Sequence, residues 1–189
     1  MPYIAALCLI PLIAGLINIP LVTRPRAARA VGVLSFSVML GLALVGLWRI
    51  RDGSILVTQL GGWPAPYGIS LVFDSLSGLL LATAAMVALA SYIHSFSTLA
   101  PDVERRYFHP LMQLLMFGVN LAFLTGDLFN LFVAFEVMLM ASYALLAIGA
   151  TRKQMSQAYK YVLLNLLASA VFAMSAGFAY GMLGTLNLA

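Results

Sequence analysis

Between Ala30 and Trp48 the chain runs for nineteen residues without a charge, and the pattern recurs between Ser75 and Ile93. At about 1.5 Å of rise per residue such a run makes a helix about 28 Å long, close to the thickness of a bilayer's hydrocarbon core. Backbone crossing that layer must satisfy its own polar groups, so the spans fold as helices. Short polar breaks divide the sequence into six of them: Tyr3–Val22, Ala30–Trp48, Ser75–Ile93, Phe108–Thr125, Leu128–Gly149 and Lys160–Tyr180. The expected fold class is an all-α polytopic membrane protein with about six transmembrane helices. Composition agrees, with 63% apolar and 8% charged residues against about 45–50% and about 25% in soluble domains.

The breaks carry the local detail. Pro11 falls inside the first span and should loosen a turn there. Met1 to Thr23 lacks a basic leading region, which favours a retained first span over a cleaved signal. Residues 49–70 are the longest interruption: Ser54–Leu60 is β-prone, and turn formers follow at Gly61-Gly62-Trp63-Pro64 and Ala65-Pro66-Tyr67-Gly68. A small external hairpin is expected there, with Trp48, Trp63 and Tyr67 at headgroup level. Asp74 is placed to cap the third helix, a bland alternative to a catalytic role. Asp102, Glu104, Arg105 and Arg106 share the next connection, where local ion pairs of small value are expected. Gly126-Asp127 leaves so little room that the fourth and fifth helices must be antiparallel neighbours. Thr151–Tyr159 reads as a polar connection, and Gly181–Ala189 as a turn followed by more apolar sequence.

Basic residues sort cleanly across these breaks. Arg24, Arg26, Arg29, Arg105, Arg106, Arg152 and Lys153 fall on one side, with Lys160 at its boundary, and Arg49 and Arg51 on the other. The positive-inside rule then places both termini outside and the first, third and fifth connections in the cytoplasm. The net charge of +4 is no nucleic-acid signature, because no basic cluster exceeds three residues. The single cysteine, Cys8, reads as a packing residue. No phosphate loop, nucleophile elbow or paired-cysteine motif is present, so neither an enzyme nor a cofactor site is expected.

Glu136 breaks the rule that charges stay in the breaks. Helical periodicity sets it on a stripe with Phe129, Phe132, Met140 and Tyr143. A lipid-facing carboxylate is expensive, so that stripe should face protein or a hydrated cavity. Two readings stand: a proton-exchanging carboxylate, or a structural ion-pair or hydrogen-bond partner. Asn120, Asn165 and Gln113 are candidates for a polar seam with it, or simply amides bonded across helices. Asp127 reads as the cap of the fifth helix, with an entry path for protons or cations as a secondary role. Lys160, near the cytoplasmic end of the sixth span, is free to snorkel. His94 and His109 flank the third connection and are placed at the interface, with proton relay by His109 as the alternative.

Thr125–Tyr143, TGDLFNLFVAFEVMLMASY, resembles the fourth-to-fifth helix segment of the D subunit of Mrp-type multisubunit sodium/proton antiporters. It is similar, more distantly, to the proton-translocating subunits of respiratory complex I. LVFDSLSGLLL at Leu71–Leu81 and the Lys153–Lys160 region extend the resemblance. It implies that Glu136 is the essential glutamate of the fifth helix, working with a lysine on a seventh. It also implies a parent fold of about fourteen helices, so that residues 1–106 hold the peripheral first three helices and 107–189 the truncated start of the first repeat. The implied setting is a prokaryotic plasma membrane, with lipid, other membrane subunits, protons and sodium ions as partners. The alternatives are a proton-pumping subunit of a complex I-like oxidoreductase or membrane-bound hydrogenase, and a structural scaffold.

Overall fold

A computed structural model describes residues 2–63 and 68–188. The turn expected at Ala65-Pro66-Tyr67 lies outside the described residues. Helices α1 (Pro2–Asn18), α2 (Pro25–Arg49) and α3 (Ser75–Thr98) precede a single turn, α4 (Pro101–Glu104). Helices α5 (Phe108–Leu124), α6 (Leu128–Ala147) and α7 (Arg152–Leu183) follow it. Thus α1, α2, α3, α5, α6 and α7 occupy the six expected spans. Four of them, α2, α3, α6 and α7, are long and apolar enough to cross a membrane by length and composition. The other two have 17 residues each, the short end of the usual range of about 17–25. Large apolar side chains such as Leu34, Leu76, Leu164, Phe178 and Met182 stand on the outside, where a soluble protein would carry charge. The chain is an all-α, multi-spanning membrane protein.

Several helices run beyond the expected boundaries because polar residues extend them. Pro25 sits at the start of α2, where its fixed φ suits the first turn. At the end of α3, Ser95 donates to the Tyr92 carbonyl at 2.6 Å and Ser97 to the His94 carbonyl at 2.9 Å, so the hydroxyls ride on the helix instead of ending it. The sixth of the long helices begins at Arg152, eight residues before the expected start. Thr151 caps it and the Gln154 side chain accepts from the Thr151 amide, a reciprocal box visible as T-x-x-Q. Thr151–Tyr159 is therefore the cap and first turns of a 32-residue helix. The first span divides: α1 stops at Asn18 and a 3-10 turn covers Pro20–Thr23, because Pro20 supplies no amide hydrogen to continue it.

Asp74 caps α3 as expected. Its carboxylate accepts from the Ser77 amide at 2.7 Å, and the Ser77 hydroxyl accepts from the Asp74 amide at 2.8 Å. The bond from the Ser77 amide is the largest of the influences holding the Asp74 carboxyl below its ordinary range. Asp74→Ala should cost about 1 kcal/mol in an unfolding titration in detergent micelles.

The hairpin also forms. Strands β1 (Leu56–Gln59) and β2 (Ser70–Phe73) pair antiparallel, with Leu56 opposite Phe73 and Gln59 opposite Ser70. It is knitted into the bundle: the Gly126 amide donates to the Ser70 carbonyl at 2.8 Å. Residues 185–188 fold back over the same turn, with the Leu128 amide donating to Leu186 and the Leu188 amide to Gly126, both at 2.8 Å. The α5–α6 turn is thereby clamped from two sides. Among the described residues two apolar clusters fill the interior, one around Ile4, Leu7, Phe73 and Leu124 beneath the hairpin. The other surrounds Phe36, Met39, Tyr92 and Phe108 towards the arginine-rich end.

Candidate functional site

Helix α6 is held between α5 and α7, and Glu136 lies midway along it. On the α5 side there is almost no gap: a Cβ on Gly118 would stand 2.8 Å from the Met138 amide nitrogen and 3.0 Å from the Ala134 carbonyl oxygen. On the α7 side aromatic rings make the contact. Phe132 stacks on Phe172 with centroids 5.9 Å apart, and Tyr143 meets Tyr161 edge-on at 5.4 Å. Alternation of small and aromatic faces follows from the sequence of α6, since Ala134 and Ala141 are buried while Phe132 and Tyr143 lie on the stripe of Glu136.

The Glu136 stripe thus faces α7 in its middle, while its members Phe129 and Met140 are exposed. Glu136 is half-buried, and its Oε1 is closed off from solvent with no hydrogen-bond partner among the described residues. Tyr143 is within electrostatic reach of Glu136 and beside Asn165. A recess of about 140 Å³ opens between α6 and α7 at Asn165, lined also by rings at Phe132, Phe135 and Phe172 and by Ser169.

The expected seam of Asn120, Gln113 and Asn165 with Glu136 does not form by direct bonds among the described residues. Asn120 donates to the Leu7 carbonyl at 2.6 Å and Gln113 accepts from the Ser35 hydroxyl at 3.0 Å, which ties α5 to α1 and α2. The reason is angular. His109, Gln113 and Asn120 lie on one stripe of α5, and Gly118, which meets α6, is on another side. Asn165 donates to the Tyr161 carbonyl within its own helix at 2.9 Å. Asp127 caps α6, accepting from the Asn130 amide at 2.8 Å, and Asn130 donates back to Thr125 at 2.8 Å. Lys160 lies exposed on α7, without an ion pair among the described residues.

The largest departure from the sequence reading is a buried cluster at the arginine-rich end. By sequence Glu104 is one of four charges in a solvated connection, yet it is 5% exposed and takes a two-pronged bond from Arg29 at 2.7 and 2.8 Å. The Arg29 guanidinium holds its carboxyl below the ordinary range, against an opposing effect of burial. His109, placed at the interface by sequence, is 3% exposed and bonds Glu104 at 3.0 Å and Tyr92 at 2.6 Å. Tyr107 adopts the left-handed conformation, φ 66°, and turns the chain so that His109 returns over Glu104. Asp102 and Arg106 do make the expected exposed local pair, at 3.5 Å. No local pattern joins Arg29 to Glu104, which are 75 residues apart.

Comparison with known proteins gives the setting. No family model matches the chain. The D subunit of the Na⁺/H⁺ antiporter of Alkalihalophilus pseudofirmus is 40% identical over 184 residues, covering 96% of this chain and 37% of that protein. The D subunit of a probable K⁺/H⁺ antiporter of Rhizobium meliloti is 43% identical over 187 residues, covering 96% and 34%. The Mrp complex from a Dietzia species contains a chain that superimposes with a TM-score of 0.90 at 32% identity, covering 99% of this chain and 36% of that one. The chain therefore spans about a third of the length of the relatives it matches. Over that third, it is a homologue of the D subunit of the Mrp-type cation/proton antiporters.

Proposed function

We propose that the chain is part of a membrane subunit of a multisubunit sodium/proton antiporter of a prokaryotic plasma membrane, in which Glu136 carries protons. The observation that carries this reading is Glu136 itself: a carboxylate inside an apolar helix, with one oxygen sealed from solvent and unpartnered among the described residues. In this reading Tyr143 and Asn165 face the proton path, and Asp127 holds the outer end of α6 in place. Asn120 works by fastening α5 to α1, and Lys160 supplies positive charge at the cytoplasmic end. Residues 107–189 open the first repeat, and 1–106 form a peripheral brace. Both termini lie outside and the arginine-rich connections in the cytoplasm, as the distribution of basic residues supports. Other membrane subunits and lipid cover the exposed apolar face of α7.

The test is cation-driven proton movement in everted vesicles containing the whole assembly, with native Glu136 and Glu136→Gln at equal expression. The glutamine keeps the shape and removes the ionisable group. Sodium-driven exchange is expected to be lost while the assembly stays intact. Unchanged exchange would leave Glu136 a structural residue and the chain a scaffold.

A further inference from the structure

His109 is an ionisable group sealed inside the opposite face of α5, and its two ring nitrogens have different kinds of partner. Nε2 lies 3.0 Å from the Glu104 carboxylate, which Arg29 keeps ionised. A carboxylate only accepts, so Nε2 carries a hydrogen in either charge state of the ring. Nδ1 lies 2.6 Å from the Tyr92 hydroxyl, and that hydroxyl is also 3.2 Å from the Ala28 carbonyl of α2. A hydroxyl has one hydrogen to give, and here two acceptors compete for it.

We infer that His109 is a proton-binding site whose occupancy is read by the Tyr92 hydroxyl. With neutral His109, the Tyr92 O–H donates to the Nδ1 lone pair. When a proton binds, it forms the Nδ1–H bond, Nδ1–H donates to the phenolic oxygen, and the Tyr92 O–H turns to the Ala28 carbonyl. No other bond is made or broken, and every donor has an acceptor in both states. One proton thus moves the bond given by α3 from α5 to α2. Gly32 permits this, since a Cβ there would collide with the Tyr92 ring and hydroxyl.

Burial opposes the protonated ring, as does the Arg29 guanidinium, and the Glu104 carboxylate works against both. The charged or titratable groups facing His109 are Glu104 from α4, Tyr92 from α3 and, behind Glu104, Arg29 from α2. Asp102 and Arg106 pair with each other on the exposed side. The adjoining end of α1 has no titratable residue, and Tyr143 of α6 faces α7. The site does not depend on Glu136 or on transport.

The experiment is ¹⁵N magnetic resonance of the histidine-labelled chain in lipid nanodiscs. The chain has two histidines, and exposed His94→Gln leaves His109 alone. From about pH 9 down to about pH 5, Nε2 should stay protonated while Nδ1 passes from bare to protonated. Glu104→Gln removes the anion and leaves Arg29 nearby, so at about pH 5 a smaller share of the Nδ1 signal should be protonated than in the native chain. Tyr92→Phe keeps the Arg29–Glu104 pair and should alter the Nδ1 signal more than the Nε2 signal. A His109 that holds one charge state across the range overturns the inference, as does hydrogen on Nδ1 alone or an Nδ1 signal indifferent to Tyr92→Phe.

Discussion

Glu104→Ala is expected to lower the unfolding free energy by about 2–3 kcal/mol, one of the largest single losses available in this chain. Removing one partner of a buried ion pair costs about 3–5 kcal/mol because the other charge is left unmatched. Arg29 is 34% exposed, so water recovers part of that cost and the lower figure follows. Arg29→Met should cost a similar amount for the opposite reason, stranding a carboxylate that is nearly sealed. Joining it with Glu104→Leu should lose less than the sum of the single changes by about 1–2 kcal/mol. Unfolding titrations of the native chain, Arg29→Met, Glu104→Leu and the double variant in detergent micelles close this cycle, and strict additivity would mean the pair does not act as a pair. The pH dependence has a definite sign. Arg29 holds the Glu104 carboxyl below its ordinary range. Its contribution is therefore complete above the unfolded value of about 4.3 and lost as pH falls through the folded value. In a His109→Gln background, which removes the imidazole's own titration, the stability gap between native Glu104 and Glu104→Gln should be flat above about pH 5 and close in more acidic solution.

How far the sequence carries can be judged from particular residues. Uncharged runs such as Ala30–Trp48 locate the helices, because in lipid only self-satisfied backbone survives. Gly126-Asp127 locates the α5–α6 turn, and Asp74 its capped helix, because these signals are local. The start of α7 is legible in Thr151 and Gln154 but is masked by the polarity of Arg152–Tyr159, whose residues are nonetheless good helix formers for the most part. The site divides in the same way. Glu136 stands out because one carboxylate in an apolar run is improbable without a role, whereas its neighbours on α7 emerge only once the crossing of two helices is known. The Arg29–Glu104–His109–Tyr92 cluster is illegible in principle. Its four members come from four elements, and each alone looks like an ordinary residue of a break or a helix end. Only packing decides that Glu104 turns inward while Asp102, two residues earlier, stays in water.

Gly118→Leu is expected to separate α5 from α6 and to impair both folding and exchange, and Gly118→Ala measures the threshold. In a helix interior alanine is intrinsically better than glycine by about 0.8–1.0 kcal/mol. Opposing this, the new Cβ would stand 2.8 Å from the Met138 amide nitrogen and 3.0 Å from the Ala134 carbonyl oxygen. Those are backbone atoms, so no side chain can rotate away and α6 itself must move. Overpacking of this kind costs about 1–3 kcal/mol, which outweighs the gain in propensity, and helices in lipid depend on such close approach. The net expectation is a loss of about 1 kcal/mol for alanine and a larger loss for leucine. Gly177→Ala on α7 supplies the contrast: among the described residues nothing lies within 4 Å of the added Cβ, so in unfolding titrations of this chain the same substitution should be neutral or mildly stabilising. The functional consequence follows from geometry. Ala134 and Met138 bracket Glu136 in sequence and lie on the far side of α6 from it. A push at Gly118 therefore drives Glu136 towards Phe172 and narrows the recess beside Asn165. Exchange in everted vesicles should fall in Gly118→Ala at expression equal to native. Exchange equal to native in Gly118→Ala would mean that the spacing of α5 and α6 does not set the environment of Glu136.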